Sequence, residues 1–363
     1  MRRLWMLGVL ALAGALAMPA SVWGRGHRHR SRSPRPRNTA VAHRKRHRRS
    51  AKRHPDHHRR RHRRKRRSGA RGGATPGSSG SATPGSSGSA TSGLAYGVGG
   101  GAPGIGLCPA APPGSALTVG GMTYSLEGMD AFTKSAPLGA FRSSNGDQPV
   151  YTGDHGMGWT EYPDGWSATY TGGVEGYQPS TVQSVHDGVL DFYLHNDSSG
   201  HPIGANPSPL PGGNRYQTYG VWSFCERVAP SDSHNLDDFY QAPLLWPQND
   251  GDWQSAESDY PEGPLNSGDF SAYSHHGGAG AQDQFDIASI APSFDPDQWH
   301  VYTQQWGPGF RSYYVDGQLV GTSTQQVWSS PERWQLQIEP WGTNDGDSGH
   351  VYVSWVWIGT PNG

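Results

Sequence analysis

Cysteine is almost missing from this 363-residue chain: Cys108 and Cys225 stand alone and far apart, in no CxxC spacing, which excludes zinc-ribbon and dithiol-redox chemistry. In an exported chain such a pair either forms a disulfide or stays as two thiols, and the sequence leaves both open. Long apolar runs are also missing. The one candidate, residues 4–18, has about 15 residues where a membrane span needs ~20. No segment sustains a helical apolar period, so a helical bundle is excluded. Basic residues are scarce after residue 71, because 24 of the 30 Lys and Arg precede residue 72. The rest of the chain carries 29 acids against six bases, a formal charge of −23, so the net charge of zero describes a cationic arm joined to an anionic globule.

What is present divides the chain into four parts. Residues 1–24 read as a secretory signal, with Arg2 and Arg3 before the apolar run and small-residue cleavage sites after Ala17 or Gly24. The expected location is extracellular or at the cell wall, with an uncleaved membrane anchor as the alternative; the dense positive charge beyond the run opposes translocation. Residues 25–71 hold 22 Arg or Lys and many His, with too little apolar surface to offset chain entropy, so this arm is predicted disordered. Its charge suits an anionic cell-wall polymer or a membrane surface; the competing reading is a solvated tail without a ligand. Nucleic acid would bind it only non-specifically, since no folded reader adjoins it. Residues 72–115 form a Gly/Ser/Pro/Ala/Thr linker containing the octapeptide ATPGSSGS twice, at 74–81 and 82–89.

From 116 to 363 the pattern is short alternating runs punctuated by Gly, Pro, Asn and Asp. Strands are predicted at 189–194, 217–228, 300–306, 311–315, 334–339 and 350–358. Asp316-Gly317 suits the tight turn of a hairpin between its flanking runs. The expected fold is all-β, a two-sheet jelly-roll sandwich with a concave cleft sheet, as a monomer. Twelve of the 14 Trp fall in this region, where aromatic faces can stack on sugar rings or fill the core, and both uses are expected.

One acidic run stands out, Glu257-Ser258-Asp259-Tyr260-Pro261-Glu262. In a strand Glu257 and Asp259 share a face while Glu262 points away, unless one inserted residue turns it back. A β-bulge at Tyr260-Pro261 would do so, and Pro261 is tolerated at such a defect. Three crowded carboxyls raise the pKa of at least one, and glycoside cleavage needs one protonated and one ionised carboxyl. Three acids in this spacing also arise by chance in so acidic a domain, where they would form a solvated or cation-binding strand.

The surrounding residues add a frame: Ala242-Pro243-Leu244-Leu245-Trp246-Pro247 and Trp253 before the acids, then His275-His276-Gly277, Trp299 to Trp306, the Asp316-Gly317 hairpin, and Trp334-Gln335-Leu336-Gln337. In this order, from about Leu126 to Gly359, the segments resemble glycoside hydrolase family 16, the laminarinase and lichenase superfamily, in particular its secreted bacterial members. The resemblance implies Glu257 as nucleophile, Glu262 as general acid and base, and Asp259 between them. It further implies retaining endo-cleavage of a polysaccharide, with no cofactor and no catalytic metal; a β-1,3- or mixed-linkage β-glucan is the expected substrate, and an agarose-type galactan or an exopolysaccharide stays open, since the sequence does not name the glycan. Trp246, Trp253, His275, Trp306, Gln337 and Trp341 are the candidate sugar-binding residues. Ser258 stands where relatives carry an apolar residue, so a buried hydroxyl there must find a partner or cost about 1–3 kcal/mol. A transglycosylase would use the same residues; a non-catalytic glycan-binding module would not need both glutamates, and a polyanion binder would depend on the arm instead.

Overall fold

The computed structural model describes residues 108–362 apart from 113, 170–174, 232–235, 279 and 342–345, together with the two-residue strand Gly97–Val98. The signal at 1–24, the basic arm at 25–71 and most of the linker at 72–115 lie outside the described residues.

Two sheets pack face to face. Their strands, in chain order, are β1 (Ala116–Val119), β2 (Met122–Asp130), β3 (Gln183–His186), β4 (Val189–Asn196), β5 (Pro202–Ile203) and β6 (Gly220–Pro230). There follow β7 (Phe239–Pro247), β8 (Ser258–Pro264), β9 (Ser271–His275), β10 (Gln282–Asp286) and β11 (His300–Gly307). The last are β12 (Phe310–Val315), β13 (Gln318–Ser323), β14 (Glu332–Pro340) and β15 (Gly349–Pro361). A ten-stranded sheet runs in the order β5-β4-β15-β6-β11-β12-β13, with β1, β2 and β3 paired along its length. The second sheet has five strands in the order β10-β9-β8-β7-β14 and forms the concave face of the jelly roll. The pairing is antiparallel throughout both sheets, as expected where turns rather than helices connect strands.

All six predicted runs lie on strands, and one begins late. The 217–228 run enters β6 only at Gly220, because Tyr219 takes a left-handed conformation (φ 61°) and Gln217 spends its side-chain amide on the carbonyls of Tyr219 and Gly359. The Asp316-Gly317 turn joins β12 to β13 with both residues at positive φ (50° and 78°), as a type I′ turn requires.

The main core lies between the sheets. Leu245, Tyr260, Trp334, Leu336 and Ile338 of the five-stranded sheet meet Trp222, Phe224, Tyr302 and Tyr313 of the larger one. Tyr260 packs edge-on against Tyr302 (5.8 Å between ring centres), and Phe224 lies 5.4 Å from Trp334. Burying each such side chain stabilises the fold by about 1.5–3 kcal/mol. A second apolar cluster, including Tyr124, Val221, Trp355 and Trp357, covers Cys225 and Cys108. These two cysteines are disulfide-bonded, which closes the question their spacing left open.

Candidate active site

Strand register decides which side chains floor the concave face. Between β7 and β14 the facing pairs are Tyr240 with Glu339, Ala242 with Gln337, Leu244 with Gln335 and Trp246 with Arg333. The intervening Trp334, Leu336 and Ile338 point into the core, so the period of two places the polar set on the opposite, concave side. Asp259 of β8 pairs with Leu244 on one flank and Tyr273 on the other, which puts it on that same side with His275 two residues beyond Tyr273.

The offset to Glu262 is absorbed by a bulge. From Asp259 to Glu262 the strand advances three residues while β9 advances only two, from Tyr273 to Ser271. Against β7 the same slip occurs between Gln241 and Leu244. The extra residue falls at Tyr260-Pro261, joined by a cis peptide bond. Glu262 therefore returns to the face of Asp259, and the phenol of Tyr240 donates a 2.8 Å hydrogen bond to its Oε1.

Glu257 is held differently from the expectation. It is not a strand residue. It caps a single helical turn, α1 (Trp253–Ala256), and β8 begins at Ser258. The Glu257 amide donates to the Trp253 carbonyl, its carbonyl accepts from the His275 amide, and Arg311 of β12 donates at 2.6 Å to the carbonyl of Ala256. Arg311 is fully buried in an ion pair with Glu332 (2.5 Å). The Ser258 hydroxyl, flagged as needing a partner, has several: Gln304 Nε2 donates to it at 2.6 Å, and it lies 2.7 Å from the Tyr313 hydroxyl. Residues of the larger sheet thus grip the chain on both sides of Glu257.

Burial dominates the electrostatics. It raises Glu257, with the negative charge of Glu262 adding to it and a hydrogen bond from Asp259 opposing it. Asp259 is pushed far above the usual carboxyl range by burial and then by Glu257 and Glu262. Glu262 is raised by burial and by Glu339, while the Tyr240 donor pulls it down. Their mutual repulsion couples the three, so they titrate as one unit above the ordinary carboxyl range. His275 is driven the other way, to about 4, by burial and by the Arg311 and His276 charges, so it is a neutral imidazole at neutral pH. Its Nε2 lies 3.6 Å from Asp259 Oδ2 and 4.0 Å from Glu257 Oε2. Among the described residues these three also form the one His/acid group compact enough to ligate a cation, with donor atoms all within 4.8 Å of one another.

The remaining candidates separate. Trp253, at the start of α1, stands 6.0 Å ring to ring from His275. Trp246 is half-buried on the concave side, hydrogen-bonded to Asp250 and 6.0 Å from the Arg333 guanidinium. Gln337 is half-buried between them and Glu339 and accepts from Asn206 Nδ2 at 3.1 Å. Trp341 is 37% exposed and stacks on Tyr240 at 4.4 Å. Trp306 is the exception. It is 0% exposed in the inter-sheet core, between Trp222 and Arg311, and presents nothing to a glycan. Three floor residues escaped sequence reading: Tyr240, Glu339 and Arg333. The alternation Arg333-x-Gln335-x-Gln337-x-Glu339 was the signal for the two on β14, since a polar side chain at every second position marks one wet face, and nothing local marked Tyr240.

No protein-family model matches the chain, and no curated protein matches its sequence. Solved structures do match in shape. An endo-1,3-β-glucanase from Streptomyces sioyaensis superposes with a TM-score of 0.50 at 15% identity, covering 69% of this chain and 98% of that one. The chain has the fold of that enzyme. An endo-β-1,3-glucanase from Pyrococcus furiosus aligns at 14% identity with a TM-score of 0.49, over 69% of this chain and 99% of that one. A laminarinase from Rhodothermus marinus aligns at 17% identity with a TM-score of 0.46, over 66% and 98%.

Proposed function

We propose that this chain is a secreted glycoside hydrolase that cuts a β-1,3- or mixed-linkage β-glucan internally, with retention of configuration. The observation that carries the reading is the one-residue bulge in β8, which returns Glu262 to the face of Asp259, next to Glu257. Glu257 attacks the anomeric carbon and forms a glycosyl-enzyme, while Glu262 gives its proton to the departing oxygen. Water then enters on the same face; Glu262 takes its proton and the sugar leaves Glu257. Asp259 keeps its own proton and donates it as a hydrogen bond to Glu257, which favours the ionised nucleophile. Arg311, by holding the Ala256 carbonyl, fixes the backbone from which Glu257 projects.

The basic arm, on this reading, keeps the exported enzyme at an anionic wall polymer or membrane surface while the anionic globule works on neutral glucan. The test is a polysaccharide panel with reducing-end detection and product linkage analysis, run on the full chain and on Glu257→Ala and Glu262→Ala. Release of β-glucan oligosaccharides by the wild type and nearly complete loss in both variants, with the fold retained, is expected. Activity close to wild type in either variant sinks the assignment.

A further inference from the structure

One carboxyl in the core belongs to no part of the cleft. Glu226 of β6 is 2% exposed and points between the sheets, since it alternates with the core residues Phe224 and Val228. Facing it from the five-stranded sheet is the fully buried Gln241 of β7, turned inward because its neighbour Tyr240 reaches Glu262 on the outer side. Tyr302 of β11 lies beside the carboxyl. Glu226 Oε1 and both ends of the Gln241 amide have no other hydrogen-bond partner, so acid and amide form an isolated polar pair in the main core. Burial raises Glu226 to about 8 against the pull of the Gln241 amide, so at neutral pH it is an uncharged acid able both to donate to an amide and to accept from it. Two apolar side chains would fill this space at lower cost, so what the pair contributes is a position. Gln241 is where a position counts: it pairs with Gly263, the residue after Glu262, and is the last in register before the slip that ends at Leu244 and Asp259.

We propose that Glu226 is a positioning residue: through Gln241 it pins the register of β7 on β8 at the bulge, and so holds the Glu262 carboxyl where it meets the departing oxygen. This rests on the proposed glycosidase reading, which gives Glu262 that task. A polar pair is met in one register only, whereas apolar side chains accept a slip, and a slip of one residue turns a side chain to the other face. The larger sheet therefore holds both ends of the acidic run, Glu257 through Arg311 and the Ala256 carbonyl, and Glu262 through Glu226 and Gln241.

The experiment uses the full-length protein and two substrates: laminarihexaose, whose leaving sugar needs a proton, and p-nitrophenyl β-laminaribioside, whose leaving group does not. Glu226→Gln keeps a partner for the Gln241 amide and should stay within about twofold of wild type on both. Glu226→Leu combined with Gln241→Leu replaces both partners by apolar groups and should leave Tm at or above that of wild type. The same double variant should lose about tenfold or more in kcat/KM on the hexaose and stay within about twofold on the aryl glycoside, where kcat/KM ends at a step that draws no proton from Glu262. A pair that only stabilises the fold would lower both substrates together or neither, and either result overturns the proposal. If the double variant does not fold, Gln241→Met carries the same comparison with the same deciding outcomes. A wild type that cleaves neither substrate refutes the glycosidase reading, and amide exchange then decides the register claim by itself: exchange in the double variant that quickens across residues 258–264 and not across 334–339 supports it, and any other pattern overturns it.

Discussion

Tyr240→Phe isolates one atom of the mechanism. The phenol donates at 2.8 Å to Glu262 Oε1, and a donor favours the ionised carboxylate, so it holds the Glu262 pKa below what burial and Glu339 would set. Phenylalanine keeps the ring that stacks on Trp341 and removes only the hydroxyl. A hydrogen bond to a charged group is worth about 1.5–3 kcal/mol, or roughly one to two pKa units at 1.36 kcal/mol per unit. Glu262 is half-buried and water can take part of the vacated place, so the lower end applies, about one unit. Glu262 must be protonated when the leaving group departs, and the alkaline limb of kcat/KM follows the free enzyme's titration. That limb should therefore move upward by about one pH unit, with a modest loss at the plateau. The assay is kcat/KM on soluble β-glucan from pH 4 to 10 at constant ionic strength. A limb that stays in place, or moves down, refutes the claim that Tyr240 tunes the proton donor.

Other consequences are as direct. Azide added to Glu257→Ala should restore turnover of an activated aryl β-glycoside and give a product of inverted configuration, whereas Glu262→Ala should retain activity only where the leaving group needs no proton. Zinc at micromolar levels should inhibit by occupying Glu257, Asp259 and His275, with activity restored by chelator; inhibition that persists in His275→Ala would place the ion elsewhere. Reducing the Cys108–Cys225 bond, which spans 117 residues, should cost up to about 5 kcal/mol by loop-closure entropy and be visible as a lower Tm.

The bulge was legible because strand geometry is strict. A period of two leaves Glu262 on the wrong side by one residue, and only an insertion could correct it. Glu257 was misplaced because α1 is a single turn, too short to leave an apolar period in the sequence. Trp306 was misread for a different reason: β11 is covered on both faces, so alternation there does not separate cleft from core, and Trp306 joins Tyr302 on the inward side. Tyr240 and Glu339 are about a hundred residues apart, and what makes them neighbours is the register of β7 on β14. That is a property of the whole sheet, and no local pattern encodes it.

Buried carboxyls set a pH dependence of stability. Burial raises Glu226 to about 8 and Glu339 to about 7, and lifts Asp259 and Glu161 well above their ordinary values. In the unfolded chain these carboxyls titrate near ~4, so between about pH 4 and pH 8 the folded state holds protons that the unfolded state has released. A carboxyl raised on folding contributes stability that is complete below its unfolded pKa and is lost as pH climbs through its folded value. Asp197 acts in the opposite sense, since the His201 and Ser199 amides hold it low and its contribution vanishes only in acid. Stability should therefore peak near pH 4–5 and decline to about pH 8, levelling beyond, with net proton uptake on folding at pH 6. Thermal unfolding across that range measures it; a Tm that rises from pH 5 to 8 would mean that the buried carboxyls are ionised and paired in the fold, and would remove the basis for a proton-holding site at Glu257, Asp259 and Glu262.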